Sequence, residues 1–203
     1  FYGRGIITGF ARINGYAVAI FANDSNFYAG SMSAEGAQKT TRFIKLCDTF
    51  NLPIVSLVDE PGFLIGPEAE KAGTILHGTN AVLATTESTV PWTTIMIRKS
   101  FGVAAAAHYG PDGYVLAWPS AESGPLPLEG GVAVAFKKEI AQSDDPEAKR
   151  KELEEKMAKN QSPFPRAEAF SVHEIIDPRE TRKYVALWAE RIQSQLKASL
   201  MKR

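Results

Sequence analysis

Two short segments carry residue types and spacings that could do chemistry. Asp59-Glu60-Pro61-Gly62-Phe63 places two acids, a proline and a glycine at the end of the apolar run Ile54 to Val58. Proline fixes one turn torsion and glycine accepts a positive φ, so a chain leaving a strand here can turn sharply with its backbone exposed in a crevice. An ordinary strand-to-loop turn would use the same residues. The second segment, Arg98-Lys99-Ser100-Phe101-Gly102-Val103-Ala104-Ala105-Ala106-Ala107, ends another β-like run, turns at glycine and enters an alanine-rich helix. Consecutive N–H groups at a helix start carry partial positive charge and can hold an oxyanion. An alanine helix packed tightly in a core would read the same way. Neighbouring residues on an extended segment point to opposite sides, so Asp59 and Glu60 make a poor carboxylate pair for acid/base work.

Conventional side-chain catalysts are hard to find elsewhere. His77, His108 and His173 are scattered without metal-ligand spacing, which suits structural or surface histidines better than ligands. The chain carries no nucleophile elbow, Walker loop or dinucleotide fingerprint, and Gly3-Arg4-Gly5 lacks both a third glycine and a preceding strand. Cys47 sits near Ile44 on an apolar helical stripe and reads as a buried, inert thiol. As the single cysteine it excludes an internal disulfide framework and a cysteine-cluster metal site, and it fits a reducing compartment, cytoplasm or an organelle matrix.

The elements that must position these segments alternate between short β-runs and helical patterns, an α/β arrangement with strands covered on at least one face. Ile6 to Ile13 and Tyr16 to Ala22 are strands joined by Asn14-Gly15, a dipeptide that favours a type I′ hairpin turn. A helix is expected from Ser33, with Ala37, Phe43, Ile44, Cys47 and Phe50 at helical spacing, and Asn51-Leu52-Pro53 stops it. Ile54 to Val58 reads as a buried strand, Glu68 to Ala84 as a helix using Ile75, Leu76, Val82 and Leu83, and Thr93 to Ile97 as the next strand. Asp145-Pro146 opens a charged helix to about Lys159 whose acids and bases fall at pairing distance, a solvated face. Asp177-Pro178-Arg179-Glu180 is a helix-start signature, and Val185, Trp188, Ile192 and Leu196 stripe the helix that follows. The 203 residues suffice for one domain with its own core. Lys plus Arg equal Asp plus Glu at 23 each, so no global field draws the chain to nucleic acid or anionic lipid. No apolar run reaches the roughly 18 residues of a membrane span. The chain opens on Phe1-Tyr2 without methionine, as a fragment or a processed chain would.

Gly9-Phe10-Ala11-Arg12-Ile13-Asn14-Gly15, the segment Lys39 through Phe63, Arg98-Lys99-Ser100-Phe101-Gly102, Trp118-Pro119-Ser120-Ala121-Glu122 and Ile176-Asp177-Pro178-Arg179-Glu180-Thr181-Arg182 occur in this order. Together they resemble the C-terminal half of carboxyltransferase β subunits of biotin-dependent acyl-CoA carboxylases, of the propionyl-CoA, acetyl-CoA and methylcrotonyl-CoA type. The resemblance implies a crotonase-like fold, a spiral of ββα units forming one domain over 1–203, with the N-terminal carboxyltransferase domain of the parent outside this chain. It implies a half-site that binds carboxybiotin, presented by a biotin carboxyl carrier protein, and passes its carboxyl group to the α-carbon of an acyl-CoA held mainly by the other domain. A biotin carboxylase subunit and a homo-oligomeric assembly are the further partners implied, with no metal in this domain.

By position in the motifs, the backbone N–H groups of Val103 and Ala104 would be the oxyanion donors. Gly62, Phe63 and Gly102 would border biotin, and Ala105 and Ala106 would line the substrate pocket. Such chemistry obliges no acid/base side chain. The chain departs from the family pattern by carrying Val103 in place of a second glycine and Ala105-Ala106 in place of Tyr-Asp. A donor at Val103 then requires a negative φ, and Ala106 leaves room for longer or branched acyl chains. The stretch Ser123 to Gly131 also departs, so these residues fix neither the acyl group nor the direction. A biotin-dependent acyl-CoA decarboxylase shares the same motifs. Two other classes remain open: a free-standing hydratase or isomerase of the crotonase type, which would need well-placed acids, and a non-catalytic assembly or docking module.

Overall fold

The first two strands, β1 (Ile6–Ile13) and β2 (Tyr16–Asn23), form an antiparallel hairpin in the register Ile13↔Tyr16. Asn14 and Gly15 both take positive φ, 49° and 86°, as the tight primed turn requires. This computed structural model describes residues 2–200. After the hairpin the chain enters α1 (Ala34–Thr49), capped by Ser33, whose Oγ accepts the Gly36 N–H at 3.2 Å. Then β3 (Ile54–Glu60) lies parallel to β2. Two helices, α2 (Pro67–Lys71) and α3 (Thr74–Thr86), lead to β4 (Trp92–Phe101), parallel to β3, and a short helix α4 (Gly102–Ala106) follows at once.

Both β5 (Tyr114–Ala117) and β6 (Glu122–Gly124) pair in parallel with β4, β5 beside Thr93 to Met96 and β6 beside Lys99 to Phe101. An excursion of four helices comes next: α5 (Leu128–Ala135), α6 (Lys137–Ala141), α7 (Pro146–Gln161) and α8 (Pro163–Glu168). The chain returns as β7 (Glu174–Ile175) beside β5, and it continues into α9 (Thr181–Arg191) and α10 (Gln193–Leu200). The sheet order is β1-β2-β3-β4-β5-β7, with β6 on β4.

The sheet is covered on both faces, which is why β3 and the first half of β4 read as near-continuous buried runs. One cluster joins Phe21, Ile54 and Trp92 to Phe43, Ile44 and Cys47 of α1, Ala81 and Ala84 of α3, and Ala104 of α4. The other joins Val18, Val55, Ile95 and Leu116 to Val185, Trp188 and Ile192 around α9. Burial pushes the Cys47 thiol up to about 12, far from any nucleophilic role.

Three expectations about helices change. Phe50 falls past the end of α1 and is exposed, because Asn51 takes φ 52° and turns the chain before the stripe continues. The expected single helix over 68–84 is two helices, broken at Ala72-Gly73. Within α3, Ile75, Leu76 and Leu83 face outward while Thr74, Gly78, Ala81, Ala84 and Thr85 face inward. Small residues let α3 lie close against α1 and the ring of Phe63; large ones there would overpack. The charged helix α7 is anchored inward by Leu153 and Gln161, with Arg150 and Glu154 paired at 2.7 Å on its outside.

Candidate functional site

Parallel pairing decides which loops meet. Glu60 at the end of β3 is in register with Ser100 near the end of β4. The turn through Gly62 and the turn through Gly102 therefore leave the same edge of the sheet from neighbouring strands, the edge where parallel α/β sheets bind ligands. The two segments singled out in the sequence are brought together.

At the second turn, Gly102 takes φ 63°. A Cβ there would stand 3.4 Å from the Pro125 carbonyl oxygen, and the left-handed backbone itself disfavours any other residue. Val103, by contrast, lies in the right-handed helix α4, so a non-glycine residue is accommodated without strain and its N–H remains a usable donor. The Val103 side chain is exposed, whereas Ala104 is fully buried in the core cluster. N–H groups in the first turn of a helix have no intrahelical acceptor, so the start of α4 presents donors at the strand edge. Ala105, Ala106 and Gly102 line a cavity of about 310 Å³ on the side of α4 that faces β6.

At the first turn, Gly62 takes φ 139°, and among the described residues nothing beyond its own chain neighbours lies within 4 Å of where its Cβ would be. The surface above it is open. Phe63 is turned the other way: its ring lies against Gly78 of α3, where an added Cβ would meet Cζ at 2.3 Å. Phe63 therefore offers this edge mainly its backbone, which also bridges to Met32.

The two acids before the turn point apart, as adjacent strand residues must. Asp59 takes Arg98 in a paired contact, Nε to the two carboxylate oxygens at 3.0 and 3.1 Å, and this hydrogen bond raises the guanidinium further above its ordinary range. Glu60 turns inward and is 0% exposed. Its carboxyl accepts the Asn23 side-chain amide at 2.9 Å, the Gly62 N–H at 3.0 Å and the Met32 N–H at 3.2 Å. His108 is equally buried, with Nε2 3.8 Å from Glu60 Oε2, Nδ1 2.9 Å from Ser56 Oγ, and its ring stacked on Phe21 at 4.3 Å. This polar core under the turn is what residue-by-residue reading missed. The available signal was parity: Ile54, Ser56, Val58 and Glu60 share one face of β3, so an acid stood on the buried side. His77 bonds Gln38 and His173 bonds the Val115 N–H, so the three histidines occupy separate places. Among the described residues no three His, Cys, Asp or Glu gather as metal ligands, and no helix is long and apolar enough to cross a membrane.

A parallel sheet with a hairpin edge, helices on both faces and backbone-lined turns at the strand ends defines a crotonase-like α/β domain. Comparison with solved structures agrees: a transcarboxylase 12S subunit, described as a hexamer with methylmalonyl-coenzyme A and methylmalonic acid bound, superposes with a TM-score of 0.88 at 38% identity, over 94% of this chain and 37% of that one. The chain belongs to the Carboxyl transferase domain family, whose profile matches residues 1–203. It is 40% identical over 91% of its length to the methylmalonyl-CoA carboxyltransferase 12S subunit of Propionibacterium freudenreichii subsp. shermanii, covering 36% of that protein. It is 38% identical over 91% of its length to the methylmalonyl-CoA decarboxylase subunit alpha of Propionigenium modestum, again 36% of that protein. The chain thus spans little more than a third of the relatives it matches.

Proposed function

We propose that this chain is the C-terminal carboxyltransferase domain, the carboxybiotin-facing half of the site, of a biotin-dependent acyl-CoA carboxylase. The observation that carries this reading is the β3–β4 register, which sets the Gly62 turn beside the Gly102 turn and the start of α4. The residues there fit a flat, polar ring: Gly62 and Gly102 contribute no side chains, and the space above Gly62 is open. Biotin, held by Gly62, Phe63 and Gly102, would supply an activated carboxyl group and a ureido ring to carry it. The N–H groups of Val103 and Ala104 stabilise negative charge as it develops on oxygen, which needs fixed donors in a water-poor crevice rather than an acid/base side chain. Glu60 holds the Gly62 N–H and so fixes where the first turn presents its backbone. Ala105 and Ala106 shape the cavity for the acyl group. No metal is called for in this domain.

The reading requires an N-terminal carboxyltransferase domain to hold acyl-CoA, a biotin carboxyl carrier protein and a biotin carboxylase subunit. A homo-oligomer is part of it, supported by the hexamer named for the superposed 12S structure, and so is a cytoplasmic or matrix setting. The reverse direction, carboxyl transfer from acyl-CoA to biotin, is the second reading. It is favoured by the decarboxylase subunit among the relatives.

The test is biotin-dependent transfer measured with a panel of acyl-CoAs, using the complete enzyme and the 203-residue chain alone. The complete enzyme should transfer, and the chain alone should neither carboxylate nor decarboxylate. Turnover by the isolated chain would overturn the half-site assignment, and none by the complete enzyme would overturn the family function for this protein.

A further inference from the structure

Beneath the two turns lies a buried polar cluster that the proposed chemistry does not consume. Glu60 closes β3 with its side chain 0% exposed, and three elements converge on its carboxyl: Asn23 at the end of β2, Met32 ahead of α1, and Gly62 in its own turn. Asn23 extends the grip, because its Oδ1 also accepts the Asp59 N–H at 3.1 Å. The hydrogen-bonding capacity of Glu60 is thus spent on holding the backbone around the first turn.

His108 faces the same carboxyl from the second turn. It sits two residues past α4, and its N–H extends that helix by donating to the Ala105 carbonyl at 2.9 Å. Its own carbonyl takes the Trp92 Nε1–H at 2.9 Å and the Thr94 hydroxyl at 2.7 Å, which pins the end of α4 to β4. The ring lies on Phe21 with the planes 8° apart, and Nδ1 is 2.9 Å from Ser56 Oγ. The Ser56 hydroxyl can give its hydrogen to Nδ1, which leaves Nε2 carrying a hydrogen toward Glu60. At 3.8 Å the approach of Nε2 to Oε2 is too long for a hydrogen bond, and Nε2 has no hydrogen-bond partner among the described residues. What joins the two groups is electrostatic attraction, acting in a buried interior where screening is weak.

A buried acid facing a buried imidazole is harder to accommodate than apolar side chains of the same size. What this pair connects is specific: the Gly62 turn at one end and α4 at the other. Parallel pairing sets β3 and β4 side by side, but it does not fix how a helix of 5 residues leans toward a glycine turn. We infer that His108 is a positioning residue for carboxyl transfer. Through Glu60 it ties the Gly62 turn to α4, and so sets the spacing between the backbone that borders biotin and the N–H donors of Val103 and Ala104. This rests on the reading of the two turns as the carboxybiotin site. Displacing such groups by about 1 Å costs about 10²-fold in rate, so a tie of this kind acts on turnover without touching substrate.

The experiment is steady-state carboxyl transfer by the complete enzyme with acyl-CoA varied, and urea unfolding of each variant alongside. His108→Phe keeps a ring on Phe21 and removes the attraction. Its kcat should fall about tenfold or more while KM for acyl-CoA stays within about twofold, because neither group faces the thioester. His108→Gln, which can still turn a side-chain N–H toward Glu60, should recover part of the loss. Glu60→Gln keeps an acceptor for Gly62 and Met32 but removes the acid that faces His108, and it should lower kcat in the same way. The double variant, His108→Phe with Glu60→Gln, should be no slower than the slower single, as two residues acting as a unit require. A packing role alone would lower the urea midpoint and leave kcat unchanged, and that result in folded His108→Phe overturns the inference. Effects of the two single changes on kcat that multiply in the double variant overturn it as well. If His108→Phe does not fold, Ser56→Ala decides: it releases Nδ1 and removes nothing from either turn, so kcat should fall with KM unmoved, and an unchanged kcat overturns the inference. Absence of biotin-dependent transfer by the parent enzyme would instead sink the carboxybiotin reading beneath it.

Discussion

A backbone N–H can be removed without touching any side-chain charge, and that isolates the role proposed for the start of α4. Ala104→Pro deletes one donor, and in the complete enzyme carboxyl transfer should fall by about 10²-fold or more if that N–H faces developing negative charge. Ala104 is also core, so circular dichroism must show the variant folded; a folded variant with near-normal turnover would remove Ala104 from the site. Glu60 is a different kind of residue. It touches no substrate in the proposed site, yet its carboxyl is the hydrogen-bond acceptor under the Gly62 turn. Glu60→Ala leaves that N–H without its acceptor and removes one of the two acceptors of the Met32 N–H and of the Asn23 amide, which keep the Gly62 and Gly30 carbonyls. We expect a stability loss of about 2 kcal/mol, read as a lower urea midpoint. An unchanged midpoint would mean that solvent or a shifted turn replaces those bonds. The Glu60–His108 contact was not legible in the sequence, because it depends on which strands and helices become neighbours, and residues 48 positions apart carry no local sign of that.

At the scale of elements, legibility followed locality. The hairpin was readable because a type I′ turn is specified by its own two residues, Asn14 and Gly15. The start of α1 was readable because Ser33 caps within three residues. The inward face of α3 was not: its large apolar residues lie outside, and what faces α1 and Phe63 was chosen for smallness. Gly78 tests this. An alanine in a helix interior ordinarily stabilises by about 1 kcal/mol over glycine. Here the added Cβ would stand 2.3 Å from Phe63 Cζ, and overpacking costs about 1–3 kcal/mol. The clash should win. Gly78→Ala should lower the thermal midpoint, and pairing it with Phe63→Leu should recover part of the loss. A stabilised single variant would show that the ring moves aside freely.

For the whole molecule, the uneven coupling of its parts should be visible to a protease. The sheet and its covering helices share two large clusters, whereas α7 buries only Leu153 and Gln161 fully, touches α5 through Met157 and α6 through the Lys149–Glu139 pair, and is otherwise mostly charged and exposed. Local opening follows the number of buried apolar contacts. Limited trypsin digestion should cut first between Lys149 and Lys159, leaving β1 through β5 in one fragment; first cuts inside β3 or β4 would contradict this. The covering of the sheet has another consequence, which concerns synthesis. Strands β2 to β5 emerge from the ribosome well before α9, and α9 supplies Val185 and Trp188 over the face that carries Val18, Val55, Ile95 and Leu116. Until residue 192 clears the exit tunnel, that face is a naked apolar surface on a half-made protein. The nascent chain therefore passes through a window in which a chaperone has something to hold and a neighbouring nascent chain has something to stick to.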